Sequence, residues 1–75
     1  MKNLKQQIEN LTEDQELTIN IPNGTIEVYC YSVNEEYSVT AQSDDFDSHH
    51  CFYLEEDEDV QVVVDEVENY LTYND

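Results

Sequence analysis

The residues best suited to chemistry lie together in Asp44-Asp45-Phe46-Asp47-Ser48-His49-His50-Cys51, where three carboxylates, two imidazoles and a thiol are neighbours. These are donors that can hold a transition metal. Their spacing matches no established metal motif, however. Paired Cys or His at zinc-finger intervals are absent, and so are the turn glycine and terminal Glu of a calcium loop. In a strand, His49 and His50 point to opposite faces and cannot chelate together. Cys51 and His50 diverge for the same reason, and the surrounding acids disfavour a thiolate. The single glycine, Gly24, sits in an Asn-Gly turn rather than in a phosphate-cradling loop. The stretch therefore reads as a polar hairpin loop, and the chain as a non-enzyme with no catalytic residues, metal ligands or cofactor.

The charge balance carries more information. Nineteen Asp and Glu face two basic side chains, for a formal net charge of −17. Both are lysines, Lys2 and Lys5, and nothing basic occurs from Gln6 to Asp75. Such self-repulsion costs stability, and internal salt bridges have no cations with which to relieve it. Direct binding to a nucleic acid or an anionic membrane is excluded, because each phosphate would be repelled. The fitting partner is a cation or a strongly basic protein surface.

The expected contacts are Glu35 and Glu36 at a turn, with Asp44, Asp45 and Asp47 in the loop. Glu55, Glu56, Asp57, Glu58 and Asp59 add a run ahead of the last helix, and Asp65, Glu66 and Glu68 lie on it. Each carboxylate would meet an Arg or Lys that normally grips phosphate, bidentately where Arg is the donor. Tyr29, Tyr31, Tyr53, Tyr70 and Tyr73 offer amphipathic anchors, several of them to be claimed by the core.

The elements that must position these groups follow from periodicity. Apolar content of 39% and aromatic content of 11% mark a folded chain despite the acidity. Leu4, Ile8 and Leu11 define a short helix from Lys2 to about Leu11. Alternation from Glu16 to Ile21 predicts a strand, and Asn23-Gly24 a tight turn at which both residues accept positive φ. The return strand runs Thr25 to Val33, with Ile26, Val28 and Cys30 on one face and Glu27, Tyr29, Tyr31 and Val33 on the other. A turn at Asn34-Glu35-Glu36 leads to a third strand from Tyr37 to Gln42. A loop over residues 43–48 precedes a fourth, edge strand from His49 to Leu54. Val60, Val63, Val64, Val67 and Leu71 then form the apolar stripe of a helix capped by Asp57 or Asp59, with Val62 exposed opposite.

The expected fold is α+β over a single acidic domain, residues 1–75. An N-terminal helix, a three- to four-stranded antiparallel meander and a C-terminal helix follow one another, with both helices on one sheet face. Cys30 and Cys51 make no disulfide framework and are expected reduced and buried. The opening MKNLKQQIEN has no apolar signal region and no run is long enough to span a bilayer, so the expected location is cytoplasmic.

With helix, strands, helix and this charge in place, the chain resembles the small acidic DNA-mimic inhibitors of phages and mobile elements. It is similar to some anti-CRISPR inhibitors of type II effector nucleases, and in charge and size to uracil-DNA glycosylase inhibitors and anti-restriction proteins. The resemblance covers the whole chain in architecture and rests on no motif, so it assigns no individual residue a role. It implies an inhibitor acting in the host bacterial cytoplasm. Its target would be a basic nucleic-acid-binding protein, a nuclease or another DNA-binding enzyme, met as monomer or homodimer, with no membrane involved. The contact surface is expected over the third-strand loop and the last helix, away from the lysines. Two other classes fit the same charge: an immunity protein or antitoxin neutralising a basic toxin, and a salt-adapted or cation-binding structural protein.

Overall fold

Period-two alternation through the middle of the chain becomes four strands in the computed structural model, which describes residues 3–72. The order is α1 (Leu4–Glu9), β1 (Gln15–Ile21), β2 (Gly24–Ser32), β3 (Glu36–Ser43), β4 (Asp47–Tyr53) and α2 (Gln61–Leu71). All neighbours pair antiparallel in the order β1-β2-β3-β4, so the expected α+β meander has its fourth strand. That strand starts at Asp47 rather than His49, and the loop expected over residues 43–48 contracts to 44–46.

Register sorts the side chains into two faces. Leu17 opposes Val28, which opposes Val39, and Cys30 opposes Tyr37, which opposes Phe52. Ile26, Val28, Cys30, Tyr37, Val39 and Ala41 are buried in one cluster with Ile8, Leu11, Val60, Val63, Val64 and Val67. Both helical segments therefore cover the same face, as expected, and the opposite face is left without a helix. Tyr37 is fully buried, and its hydroxyl accepts the Asn34 N–H at 3.0 Å. Burial pushes the Tyr37 phenol above its ordinary value, and likewise the Cys30 thiol.

Helix ends depart from the periodicity in instructive ways. Asn3 accepts the Lys5 N–H through Oδ1, so α1 starts at Leu4 and ends at Glu9, inside the expected Lys2–Leu11 span. Leu11 lies beyond the helix yet stays buried, and Lys2 falls outside the described residues. Neither Asp57 nor Asp59 is the N-cap of α2: that position falls to the buried Val60, which offers no side-chain cap, and Asp59 just ahead of it accepts the Gln61 N–H at 2.8 Å. Val62 is half-buried against the core rather than exposed, because α1 packs beside α2 and covers a second side of it. Leu71 is 39% exposed, since the stripe outruns the sheet at the last helical residue.

The first hairpin corrects the expected turn. Ile21 pairs directly with Gly24, so the loop residues are Pro22 and Asn23. Asn23 alone takes a positive φ, 70°, and proline ahead of a left-handed residue is the signature of a type II turn. Gly24 is needed for space instead. A Cβ there would lie 1.9 Å from the Gln42 carbonyl oxygen and 2.7 Å from Ser43 Cα, both backbone atoms of β3. Gly24→Ala must therefore push β3 away, and should cost about 1–3 kcal/mol or more. Urea unfolding measures it, and a cost near zero would show that the hairpin is not packed this closely.

Candidate functional site

Asp65, Glu66 and Glu68 lie on α2, and the other predicted carboxylates divide between the two ends of the sheet. Leu54 N–H donates to the Glu35 carbonyl at 2.7 Å, joining the β2–β3 turn to the segment that leads into α2. Glu35, Glu55, Glu56, Glu58 and Asp59 consequently border one open depression of about 540 Å³ with Val33, Asn34 and Leu54. Val33, expected on the tyrosine face of β2, lies past the strand in this depression. Asp14 N–H donates to the Cys30 carbonyl at 2.8 Å, which brings Glu13 and Asp14 to the same end. Asp44, Asp45 and Asp47 lie at the other end, in and beside the β3–β4 turn, where Ser43 Oγ accepts the Asp45 and Phe46 N–H groups. The β3–β4 loop and the acidic run are thus separated by the length of the strands.

Several of these groups have partners inside the molecule. Lys5 Nζ sits 3.2 Å from Asp59 Oδ2, so the acidic run is not remote from Lys5, contrary to the expected separation. The Gln61 backbone N–H, followed by Lys5, holds the Asp59 carboxyl below its usual 3.8. The lowered value means that this contribution is complete above pH 3.8 and is lost as pH falls through the folded-state value. Glu58 Oε1 accepts the Glu55 N–H, Glu35 Oε2 accepts Ser32 Oγ–H, and Asp65 accepts Gln61 Nε2–H.

Glu66 departs furthest from its expected role. It faces β4 instead of solvent, with its side chain 18% exposed. Its Oε2 pairs with His50 Nδ1 and accepts the Tyr70 hydroxyl at 2.8 Å, while Ser48 Oγ lies 2.7 Å from the same hydroxyl. Tyr70 also packs on Phe46 with ring centroids 5.2 Å apart, and burial is the main cause of its raised pKa. Glu66 and Tyr70, both anticipated as contact residues, fasten α2 to the β4 edge.

His49 and His50 do point to opposite faces. His49 shares the outer face with Cys51: its Nε2 lies 3.6 Å from Cys51 Sγ and its Nδ1 2.7 Å from Thr40 Oγ1. The i, i+2 spacing of a strand was the signal for this pair, which adjacency in sequence concealed. Cys51 is exposed, contrary to the expectation that both cysteines are buried, because β4 is an edge strand and its outer face is open; both thiols are free. Among the described residues, no three His, Cys, Asp or Glu side chains group to hold a metal ion.

The open face of the sheet brings the expected Glu36, Tyr29, Tyr31 and Tyr53 together with Glu16 and Glu27, which the charge runs did not flag. Pairing lays Glu16, Tyr29, Ser38 and Cys51 in one row across four strands, and Thr18, Glu27, Thr40 and His49 in the next. Glu36 opposes Tyr53 at the end of the sheet nearer the acidic run. Tyr29 and Tyr31, two apart on β2, share this face with ring centroids 4.6 Å apart, and the β2–β3 register is irregular between Cys30 and Ser32. Tyr29 Oη donates to Asp14 Oδ1 at 2.9 Å, and that bond leads the causes of its raised pKa. Tyr53 is 70% exposed, its phenol raised chiefly by the Glu36 charge. Tyr73 falls outside the described residues.

Glu66→Ala strips the acceptor from two donors and should cost about 1–3 kcal/mol. Glu68→Ala on the exposed side should be neutral or slightly stabilising, since it only relieves repulsion. Chemical denaturation of the two variants checks the contrast, and equal effects would remove Glu66 from its fastening role.

No helix among the described residues is long and apolar enough to cross a membrane. No family model, curated protein or solved structure matches the chain.

Proposed function

We propose that this protein is a DNA-mimic inhibitor, encoded by a phage or mobile element. It would occupy the nucleic-acid-binding surface of a bacterial defence nuclease, of the anti-CRISPR type, or of another DNA-binding enzyme in the host cytoplasm. The observation that carries this reading is a net charge of −17 carried on an ordered α+β scaffold rather than on a disordered tail. A phosphate-binding surface holds its Arg and Lys in fixed positions, so a competitor gains from carboxylates that are fixed as well. Glu35, Glu55, Glu56, Glu58 and Asp59 border one depression, and hydrogen bonds tie the carboxylates of Glu35, Glu58 and Asp59.

Electrostatic mimicry makes two demands on the complex. Its association rate must fall steeply as salt screens the charges, and duplex DNA must compete for the same surface. The test is capture of the bacterial target on immobilised protein, followed by elution with a short duplex. Binding kinetics are then measured from about 50 mM to about 500 mM salt. Elution by duplex with an on-rate falling at least about tenfold is the expected result. Retention under saturating duplex, or an on-rate indifferent to salt, would rule out mimicry. Glu55→Gln/Glu56→Gln/Glu58→Gln should slow association with the target while leaving the melting temperature level or higher.

A further inference from the structure

We infer that the uncovered sheet face is an arginine-docking surface, on which Tyr29, Tyr31 and Tyr53 stack against guanidinium groups while Asp14, Glu16 and Glu36 accept their N–H donors. This rests on the proposed reading of a basic protein partner and names the face and the side chain that such a partner would use.

Two kinds of group with different demands stand side by side on this face. Tyr29 and Tyr31 are in ring contact, and Tyr31 and Tyr53 are exposed at 42% and 70%. Phenol faces left in water gain from a flat, weakly hydrated cation laid upon them. Beside them lie carboxylates: Asp14 at the Tyr29 hydroxyl, Glu16 opposite Tyr29, and Glu36 opposite Tyr53. Asp14 keeps acceptor capacity beyond the single bond from Tyr29, since an ionised carboxylate offers about four lone-pair sites. Ser38, in the same row, is only 3% exposed, so flanking side chains cover it at the middle of the sheet.

Arginine satisfies both demands at once. Its guanidinium stacks through its plane and donates through its edge, whereas the lysine ammonium is a strongly hydrated point charge without a face. Other occupants fail on charge. A second copy would set Glu16, Glu27 and Glu36 against their equivalents between two chains each at −17. Single-stranded nucleic acid would find aromatic platforms but bring its phosphates against the same carboxylates. The helical side is less available, because Glu66 and Asp59 are already engaged there.

The probes are a nona-arginine and a nona-lysine peptide, titrated separately into the ¹⁵N-labelled full chain at moderate salt. Nona-arginine should bind about five- to tenfold more tightly, and its amide shift changes should concentrate on Tyr29, Tyr31, Ser38 and Tyr53. Tyr31→Ala/Tyr53→Ala should abolish that preference while keeping the dispersed amide spectrum of the folded chain, at the cost of a few degrees in melting temperature for the lost Tyr29–Tyr31 ring contact. Asp44→Asn/Asp45→Asn/Asp47→Asn, at the opposite end, should weaken both peptides alike and preserve it. Equal affinity for the two peptides, or shift changes centred on residues 44–47 or on α2, overturns the inference. So does an arginine preference that survives the double tyrosine variant. No DNA enters this experiment, so mimicry fails or stands separately: a target eluted by duplex DNA but bound equally by the tyrosine variant would leave the function standing and remove this face.

Discussion

Repulsion among nineteen carboxylates with two lysines to answer them is the constraint around which this structure is arranged. Neutralisation within the chain is not available, so the acids must be kept apart or placed where a backbone N–H or hydroxyl can meet them. Both solutions are visible. Asp59 meets the Gln61 N–H and Lys5, Glu35 meets a serine hydroxyl, and Asp14 a phenol, while the β3–β4 turn places Asp44, Asp45 and Asp47 a strand length from the acidic run. Eight of the twelve buried core residues are β-branched Val or Ile, which suit strands better than helices. That explains why the valine-rich α2 depends on tertiary contact: its stripe is held by the sheet, and its flank by Glu66, Tyr70, Ser48 and His50.

Much of this was legible before any coordinates. Strict alternation named the inner faces of β1, β2 and β3 residue by residue, because a one-residue slip would have exposed the whole apolar set. The stripe of Val60, Val63, Val64 and Val67 was legible for the same reason at the helical period. What periodicity cannot carry is the position of an element relative to its neighbours. Val62 counts as outward on an isolated helix and is half-buried because α1 lies alongside. Leu71 counts as inward and is exposed because the sheet ends before it does. Gly24 reads as a turn residue, yet what it supplies is the close approach of two backbones, a distance that no local pattern encodes.

The candidate site was legible only as a charge total. Long runs of acids draw attention, so residues 55–59 and α2 stood out, whereas the short Glu13-Asp14-Gln15-Glu16 stretch and the isolated Glu27 did not. Sheet pairing assembles Asp14, Glu16, Tyr29 and Glu36 near one another from three separate stretches of chain. The reverse happens to Glu66. It belongs to a conspicuous acidic stretch, Asp65-Glu66, and turns inward because two donors on β4 and α2 wait for it. Carboxylates on a surface are interchangeable in composition and sharply different in availability, and only packing tells them apart.

Availability also bears on why the tyrosines lie where they do. A sheet with both helices on one side exposes its other face, and polar threonine, serine and glutamine would suffice to keep that face wet. Three tyrosines there leave apolar area in water, which a chain of this size gains little from in its own folding. Tyr29 is tied to Asp14 through its hydroxyl and Tyr53 lies opposite Glu36, so aromatic rings and carboxylates stand side by side on this face. A purely electrostatic surface attracts any cation and discriminates poorly, since Coulomb attraction depends on charge and distance alone. Rings held beside carboxylates add a demand on shape, and only a planar cation meets it fully. In the proposed reading the charge would bring a basic surface near, and the tyrosine face would let this fold distinguish one such surface from another.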